Sequence, residues 1–334
     1  MSVTIYEIAE RAGVSSSTVS RVLRGDGTEQ RRGSVARAAD IRRIATELGY
    51  RPNVRARGFS QRRTFAIGML YTDDKWVFQG MNALVVNSLV RTLQQSGYHL
   101  VFVPIDAGGA WEEIVLGGQI DGAVIFHKMP SQVGSALRER KLPTILLGDN
   151  SDSTLSQIVV DDFSGAYAAT KHLIGLGHKR IMYHVHEAIK PHYSISERRR
   201  GYEAALAESG LESLEVYKPT EDAVNYILHG DASRPTAIVA YSDYEATLLV
   251  HAMWQYGITI PGDISIVGFN DLFATEYMTP PLTTVGFDAA RIGEKGAEMV
   301  VKEIESPLEE RTIQVLEIKP KLVVRGSTAP PPSK

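Results

Sequence analysis

Apolar residues at Ile5, Ile8, Ala9 and Ala12 form an i, i+3, i+4, i+7 stripe, which predicts a short amphipathic helix. Thr4 and Glu7 supply a capping box at its start, and Gly13 ends it. Ser15 then caps a second helix whose inner face is Val19, Val22 and Leu23, with Val14 and Val19 flanking the cap as a hydrophobic staple. The other face carries Ser17, Ser20, Arg21 and Arg24, with Ser16 and Thr18 in the first turn. A third helix is predicted over residues 34–48, with Val35, Ala38, Ile41, Ile44, Ala45 and Leu48 inward and Arg37, Arg42 and Arg43 outward. Gly49 stops it, and Tyr50-Arg51-Pro52 forces an extended step.

From residue 65 the pattern changes. Near-continuous apolar runs at 65–71, 99–105, 122–126 and 143–148 read as buried strands separated by helical stretches, among them 81–95 ending at Gly97. After Asp162 the alternation repeats: helix 164–176, strand 180–185, helix 197–209, and strands 236–241 and 264–269 around helix 244–256. Residues 283–285, helix 288–304 and strands 312–318 and 321–325 complete it. The predicted fold class is α/β: an all-α helix-turn-helix head, then a body of two doubly wound parallel-sheet lobes. The expected domains are 1–50 (head), 51–63 (hinge) and 64–326 (body). Within the body, lobe one spans about 64–161 and 288–317, and lobe two about 162–287 and 318–326. The Pro-rich residues 327–334 are expected to be a disordered tail.

Charge sharpens this division. Residues 1–63 carry 13 Arg, no Lys and 6 acids, whereas the remainder holds 23 bases against 33 acids. A basic head on an acidic body is the footprint of phosphate binding, and Arg throughout favours bidentate contacts to phosphate and guanine. Short hydroxyls and arginines on the outer face of a second helix suit the major groove; an ordinary surface helical hairpin is the alternative. The segment from Asn53 to Arg63 is short and charged, marginal as a helix in water unless a partner compensates its charge; a flexible linker is the other reading. With no cysteine, disulfides and thiolate metal sites are excluded. No apolar run is long enough to span a bilayer, and Met1-Ser2-Val3-Thr4 leads straight into a polar helix, so a soluble cytoplasmic protein without membrane association is expected.

Two doubly wound lobes place strand C-termini around a cleft. Polar groups end several strands there: Thr72-Asp73-Asp74, His127, Asp149-Asn150, Ser242-Asp243 and Asn270-Asp271. Each also suits a helix N-cap, the preferred reading for Asp162 and Asp243. Converging polar groups suggest a hydroxyl-rich ligand, with Trp76, Phe126 and Trp254 as candidate apolar walls. His184-Val185-His186 could face two rings one way, but no third ligand stands at metal spacing, so no metal is expected and exposure at the strand end near the cleft is the preferred role.

Residues 3–9 and 18–23 together resemble the head of the lactose repressor/galactose repressor family of bacterial transcription regulators. Leu48-Gly49-Tyr50-Arg51-Pro52-Asn53 is similar to the start of that family's hinge. His172–Ile181, Pro261–Asp271 and Pro281–Val285 resemble motifs of its effector domain. The resemblance implies a dimeric repressor that binds a near-palindromic double-stranded DNA operator and has a periplasmic sugar-binding-protein fold in its body. It places Ser16, Ser17 and Arg21 at base-reading positions, within a DNA-binding set of Thr4, Ser15, Ser16, Ser17, Thr18, Ser20, Arg21, Arg24, Asn53, Arg57 and Phe59. Phe59 falls where the family places a minor-groove wedge, and Arg198, three residues before Gly201, where it places its effector-gripping arginine. The resemblance places Thr72, Phe126, Arg198, Ser242 and Asn270 at the effector cleft; with Asp73, Trp76 and Asp243 from the strand ends, these are the candidate site for a carbohydrate or similar small molecule. No leucine heptads follow Arg325, so a homodimer rather than a tetramer is expected.

Other classes fit less well. A sugar-binding protein without DNA function leaves the basic head unexplained. An enzyme on this fold would need a motif, and no Gly-x-Gly-x-x-Gly after the first strand, Walker A sequence or Gly-x-Ser-x-Gly elbow is present. The expectation is a ligand-controlled transcription regulator with no catalytic residues and no cofactor.

Overall fold

The computed structural model describes residues 3–24, 32–51, 58, 63–72, 80–105, 110–126, 129–186, 192–217, 220–229 and 234–332. The chain divides into two units, Met1–Thr64 and Phe65–Lys334.

Among the described residues the first unit holds three helices, α1 (Ile5–Ala12), α2 (Ser16–Arg24) and α3 (Arg32–Glu47). Thr4 Oγ1 accepts from the Glu7 amide and donates to the Glu7 carboxylate, which is the capping pair read from the sequence. Gly13 turns the chain at φ 63°, a left-handed conformation that glycine adopts without strain. Ser15 Oγ accepts from the Thr18 amide at 3.2 Å and so caps α2. Ile8, Ala9, Val19, Val22, Ala38, Ile41, Ile44 and Ala45 form the core. Val35, expected inward, is 48% exposed. It lies one turn before Ala38, within the stretch 34–37 that is exposed throughout.

The second unit contains two six-stranded sheets. In chain order the first lobe brings β1 (Ala66–Tyr71), α4 (Gly80–Gln95), β2 (His99–Pro104), α5 (Ala110–Leu116), β3 (Gly122–Phe126), α6 (Ser131–Arg140), β4 (Thr144–Leu147) and β5 (Ser156–Val160). The second lobe follows with α7 (Asp162–Gly175), β6 (Ile181–Val185), α8 (Tyr193–Glu208), β7 (Leu214–Tyr217), α9 (Thr220–His229), β8 (Ala237–Ala240), α10 (Asp243–Gln255), β9 (Ser265–Phe269) and β10 (Thr283–Gly286). The chain returns through α11 (Ala289–Glu305) and β11 (Val315–Ile318) to the first lobe, and ends in β12 (Lys321–Val323) on the second.

Sheet one runs β11-β5-β4-β3-β1-β2 and all its pairings are parallel. Sheet two runs β12-β10-β9-β8-β6-β7, with β12 antiparallel. Helices cover both faces of each sheet, so central strands such as β1, β3 and β6 are buried along their whole length. Two further strands, β5 and β7, and the helix α9 lie where no element was expected. Gly201 lets α8 approach α7 closely, because a Cβ there would stand 2.2 Å from the Phe163 carbonyl oxygen.

Three segments cross between the lobes: β5 to α7, β10 to α11, and β11 to β12. The first two each carry a helix cap, since Asp161 accepts from the Ser164 amide and Asp288 from the Arg291 amide. Lys319 on the third bonds Asp161 on the first at 2.8 Å and ties two crossovers together.

The segment after β12 is not the loose tail that its prolines suggested, as far as residues 327–332 are described. Ser327 is 1% exposed; its hydroxyl donates to the Ile266 carbonyl and accepts from the Thr283 amide. The Ala329 carbonyl accepts from His178 and from Ser265. Proline removes donors but also lowers the entropy lost on ordering, so this segment docks on lobe two through its non-proline residues.

Candidate functional site

On α2, Ser17 and Arg21 stand one turn apart and exposed, while Ser16, Thr18 and Ser20 are half-buried. The hydroxyls of Thr4, Ser15 and Thr18, expected at DNA, are engaged locally: Thr4 caps α1, and Ser15 bonds Thr18 Oγ1 at 2.9 Å while capping α2. Arg43 on α3 is held by Asp40 and Glu47, which occupies it within its own helix. The Arg24 side chain, together with Asn53, Arg57 and Phe59, lies outside the described residues.

In the body, the C-terminal ends of both sheets converge on a polar cluster around Arg198. The α8 helix presents this arginine at 6% exposure. Its Nε donates to Asp162 at 2.7 Å, Nη1 to the Tyr241 carbonyl at 2.6 Å and Nη2 to Asn270 Oδ1 at 3.5 Å. The guanidinium carbon lies 3.6 Å from the Phe269 ring centroid and 4.7 Å from that of Tyr241, within cation–π range of both. Burial opposes its charge, but Asp162, Tyr241 and Tyr183 together hold the group above the ordinary arginine value. Asp162, expected as a helix cap, is therefore the counter-ion, and Asp161 is the cap.

Asn270 and Asp271 have φ of 115° and 52°. Consecutive non-glycine residues in the left-handed region are strained, and such strain persists where the surroundings over-determine it. Here the Asn270 amide donates to the Val285 carbonyl at 2.7 Å, and Arg325 grips Asp271 at 2.6 Å.

The remaining expected effector residues separate into groups. Thr72 is exposed at the end of β1. Phe126 is 4% exposed and belongs to the lobe-one core. Ser242 caps α10 by accepting from the Glu245 amide at 3.2 Å. Asp243 is fully buried, accepts from Thr284 Oγ1 and the Leu272 amide, and braces the loop after β9 instead of facing the cleft. Burial pushes its carboxyl up to about 6. Asp73, Trp76 and His127 lie outside the described residues. Trp254, offered as a wall, is 74% exposed near the far end of α10, eleven residues after Asp243. His184, expected to be exposed, is completely buried 3.6 Å from Glu245. Its strand is covered on both faces, so its ring enters the packing against α10. Among the described residues no group of three metal-ligating side chains occurs.

Sequence reasoning missed His192, Tyr193 and Ser194. His192 Nε2 lies 2.7 Å from the Gly148 carbonyl, and its Nδ1 lies 2.7 Å from Ser194 Oγ. Ser194 Oγ is 2.8 Å from the Tyr241 hydroxyl. The Tyr193 hydroxyl accepts from the Val160 amide at 3.3 Å and bonds Asp162. These residues escaped notice because α8 was expected to start at 197, four residues late, which left them in a nondescript loop. The usable signal was His192 followed by Ser194, an N-cap pair directly ahead of the helical period.

A helix-turn-helix head joined to a two-lobed binding-protein body, with a buried arginine at the cleft, defines the class of ligand-responsive DNA-binding regulators. Residues 4–53 match the family model for bacterial regulatory proteins of the lacI family, and residues 170–328 match a periplasmic binding protein-like domain. The HTH-type transcriptional regulator DegA of Bacillus subtilis is 30% identical, covering 99% of this chain and 99% of the relative. The HTH-type transcriptional repressor PurR of Photobacterium profundum is 29% identical, covering 97% and 98%. In fold, the lac repressor dimer bound to operator and the anti-inducer ONPF matches with a TM-score of 0.79 at 22% identity, covering 98% of this chain and 100% of that one. The chain belongs to the LacI family of transcription regulators. Its relatives are regulators and not enzymes.

Proposed function

We propose that this regulator represses transcription in the cytoplasm by binding a near-palindromic operator as a homodimer, under the control of a hydroxyl-rich small molecule held between the lobes. The observation that carries the DNA reading is the exposed Ser17–Arg21 face of α2 on an arginine-rich head. Arg21 has the reach to pair with guanine N7 and O6, and Ser16 and Ser17 to contact neighbouring base edges. Phe59 is the proposed minor-groove wedge. In the cleft, Arg198 is oriented by Asp162, and its planar donors match vicinal hydroxyls. A sugar or sugar derivative is the ligand class this chemistry favours, and no second class is favoured by a specific observation.

The test is selection of duplexes from a random pool by the full chain, followed by anisotropy titration of the selected operator. Arg21→Ala should cost about 1–3 kcal/mol on that operator and much less on random duplex. Equal losses on both would assign Arg21 to phosphate, and failure to enrich any sequence would remove the regulator reading.

A further inference from the structure

We infer that His192 and Tyr193 are positioning residues that latch lobe two onto lobe one and so set the angle at which the cleft stands. The inference rests on the reading of the cleft as the effector site, but its test needs neither effector nor DNA.

Both residues belong to lobe two by packing, because they lead into α8, which lies against α7. Both bond to lobe one. The hydrogen-bond directions follow from the partners. His192 Nδ1 accepts from the Ser194 amide at 3.3 Å, so in the neutral ring the proton is on Nε2. That proton is donated to the Gly148 carbonyl, at the end of β4. Ser194 then donates to Nδ1 and accepts from the Tyr241 hydroxyl. A directed chain therefore runs from Tyr241 through Ser194 and His192 to Gly148, across the two lobes. Burial, helped by the Arg198 charge, holds His192 below its ordinary value of 6.5 against the Gly148 hydrogen bond, Asp162 and Asp149, which keeps the ring neutral at neutral pH.

Tyr193 adds a second attachment at Val160, the last residue of β5, beside the first crossover. The two ring centroids lie 4.6 Å apart, so the two attachments are packed against each other. Val160 is close to the pivot, whereas Gly148 stands one strand further out. With strands about 4.8 Å apart, a rotation of roughly 10° moves Gly148 by about 1 Å, enough to break a short hydrogen bond. The same chain touches the effector grip, since Tyr241 supplies both the hydroxyl bonded to Ser194 and the carbonyl bonded to Arg198. A ligand that draws on Arg198 or Tyr241 thereby acts on the latch.

The test uses the absence of native cysteine. Gln132→Cys on lobe one and Ala207→Cys on lobe two, both at exposed helical positions, are spin-labelled in the full chain. Labelled chain is diluted with excess unlabelled chain, and the intramolecular distance is read by pulsed dipolar spectroscopy at pH 7.5. His192→Ala should lose the wild-type distance peak in favour of a broader, displaced distribution. His192→Gln, whose side-chain amide can donate where Nε2–H does, should restore the wild-type peak. A wild-type peak in His192→Ala overturns the latch. So does failure of Gln to rescue, which would assign the effect to capping of α8. If the latch holds but no operator is ever selected, the function reading falls and this inference stands.

Discussion

Arg198 shows how much one residue's role depends on its partners. It and Asp162 are both buried, so removing one leaves the other as an uncompensated charge, a loss of roughly 3–5 kcal/mol. Arg198→Ala should lower the melting temperature of the body and abolish the ligand response, while the isolated head surface still binds operator. Arg198→Ala with Asp162→Asn should recover much of the stability and none of the response. Normal ligand affinity in either variant would move the site elsewhere. Asp243 gives a pH signature. Its folded value, about 6, lies above the ordinary 3.8, so the folded chain keeps a proton that the unfolded chain has released. Stability from this group is full below about 3.8 and is lost as pH rises through about 6. Asp243→Asn, compared with the parent chain in urea titrations, should therefore gain about 2.4 kcal/mol between pH 4 and pH 7.5. Parallel stability curves would disprove it.

At the scale of elements, helices with strong local signals were legible and short buried ones were not. The first two helices were placed within a residue by Thr4, Gly13 and Ser15, because caps and the 3.6 period are local chemistry. Strand β5, Ser156–Val160, was missed: five residues flanked by Thr154-Leu155 on one side and Asp161 on the other carry little period, and pairing with β4 and β11 makes it a strand. Strand β7 and helix α9 were lost for the same reason, since their partners are distant in sequence. The proposed wedge element falls outside the described residues, and its test is functional. Phe59→Ala should weaken operator binding and reduce DNA bending, measured by circular-permutation mobility, with nonspecific affinity nearly unchanged. An equally bent operator at parental affinity would remove the wedge.

At the scale of the whole molecule, charge is segregated: thirteen arginines in the head against an acidic body. If a dimer neutralises on the order of 8 phosphates, log K against log salt should fall with a slope of about −7. A slope shallower than about −3 in simple monovalent salt would show that the basic head is not the binding surface. The sequence alone determined the two-part organisation and the α/β class of the body, and it singled out Arg198 as the proposed effector grip, because period, caps, charge segregation and family motifs are all local or additive along the chain. Only the tertiary structure decided what surrounds that arginine. Its partners Asp162, Tyr241 and Asn270 lie 36, 43 and 72 residues away. It also decided that Asp243 and Ser242 brace the fold, that His192 reaches Gly148, and that Ser327 and Ala329 dock on lobe two. Those outcomes depend on which strand ends the sheet order brings together, and a local pattern carries no information about that order.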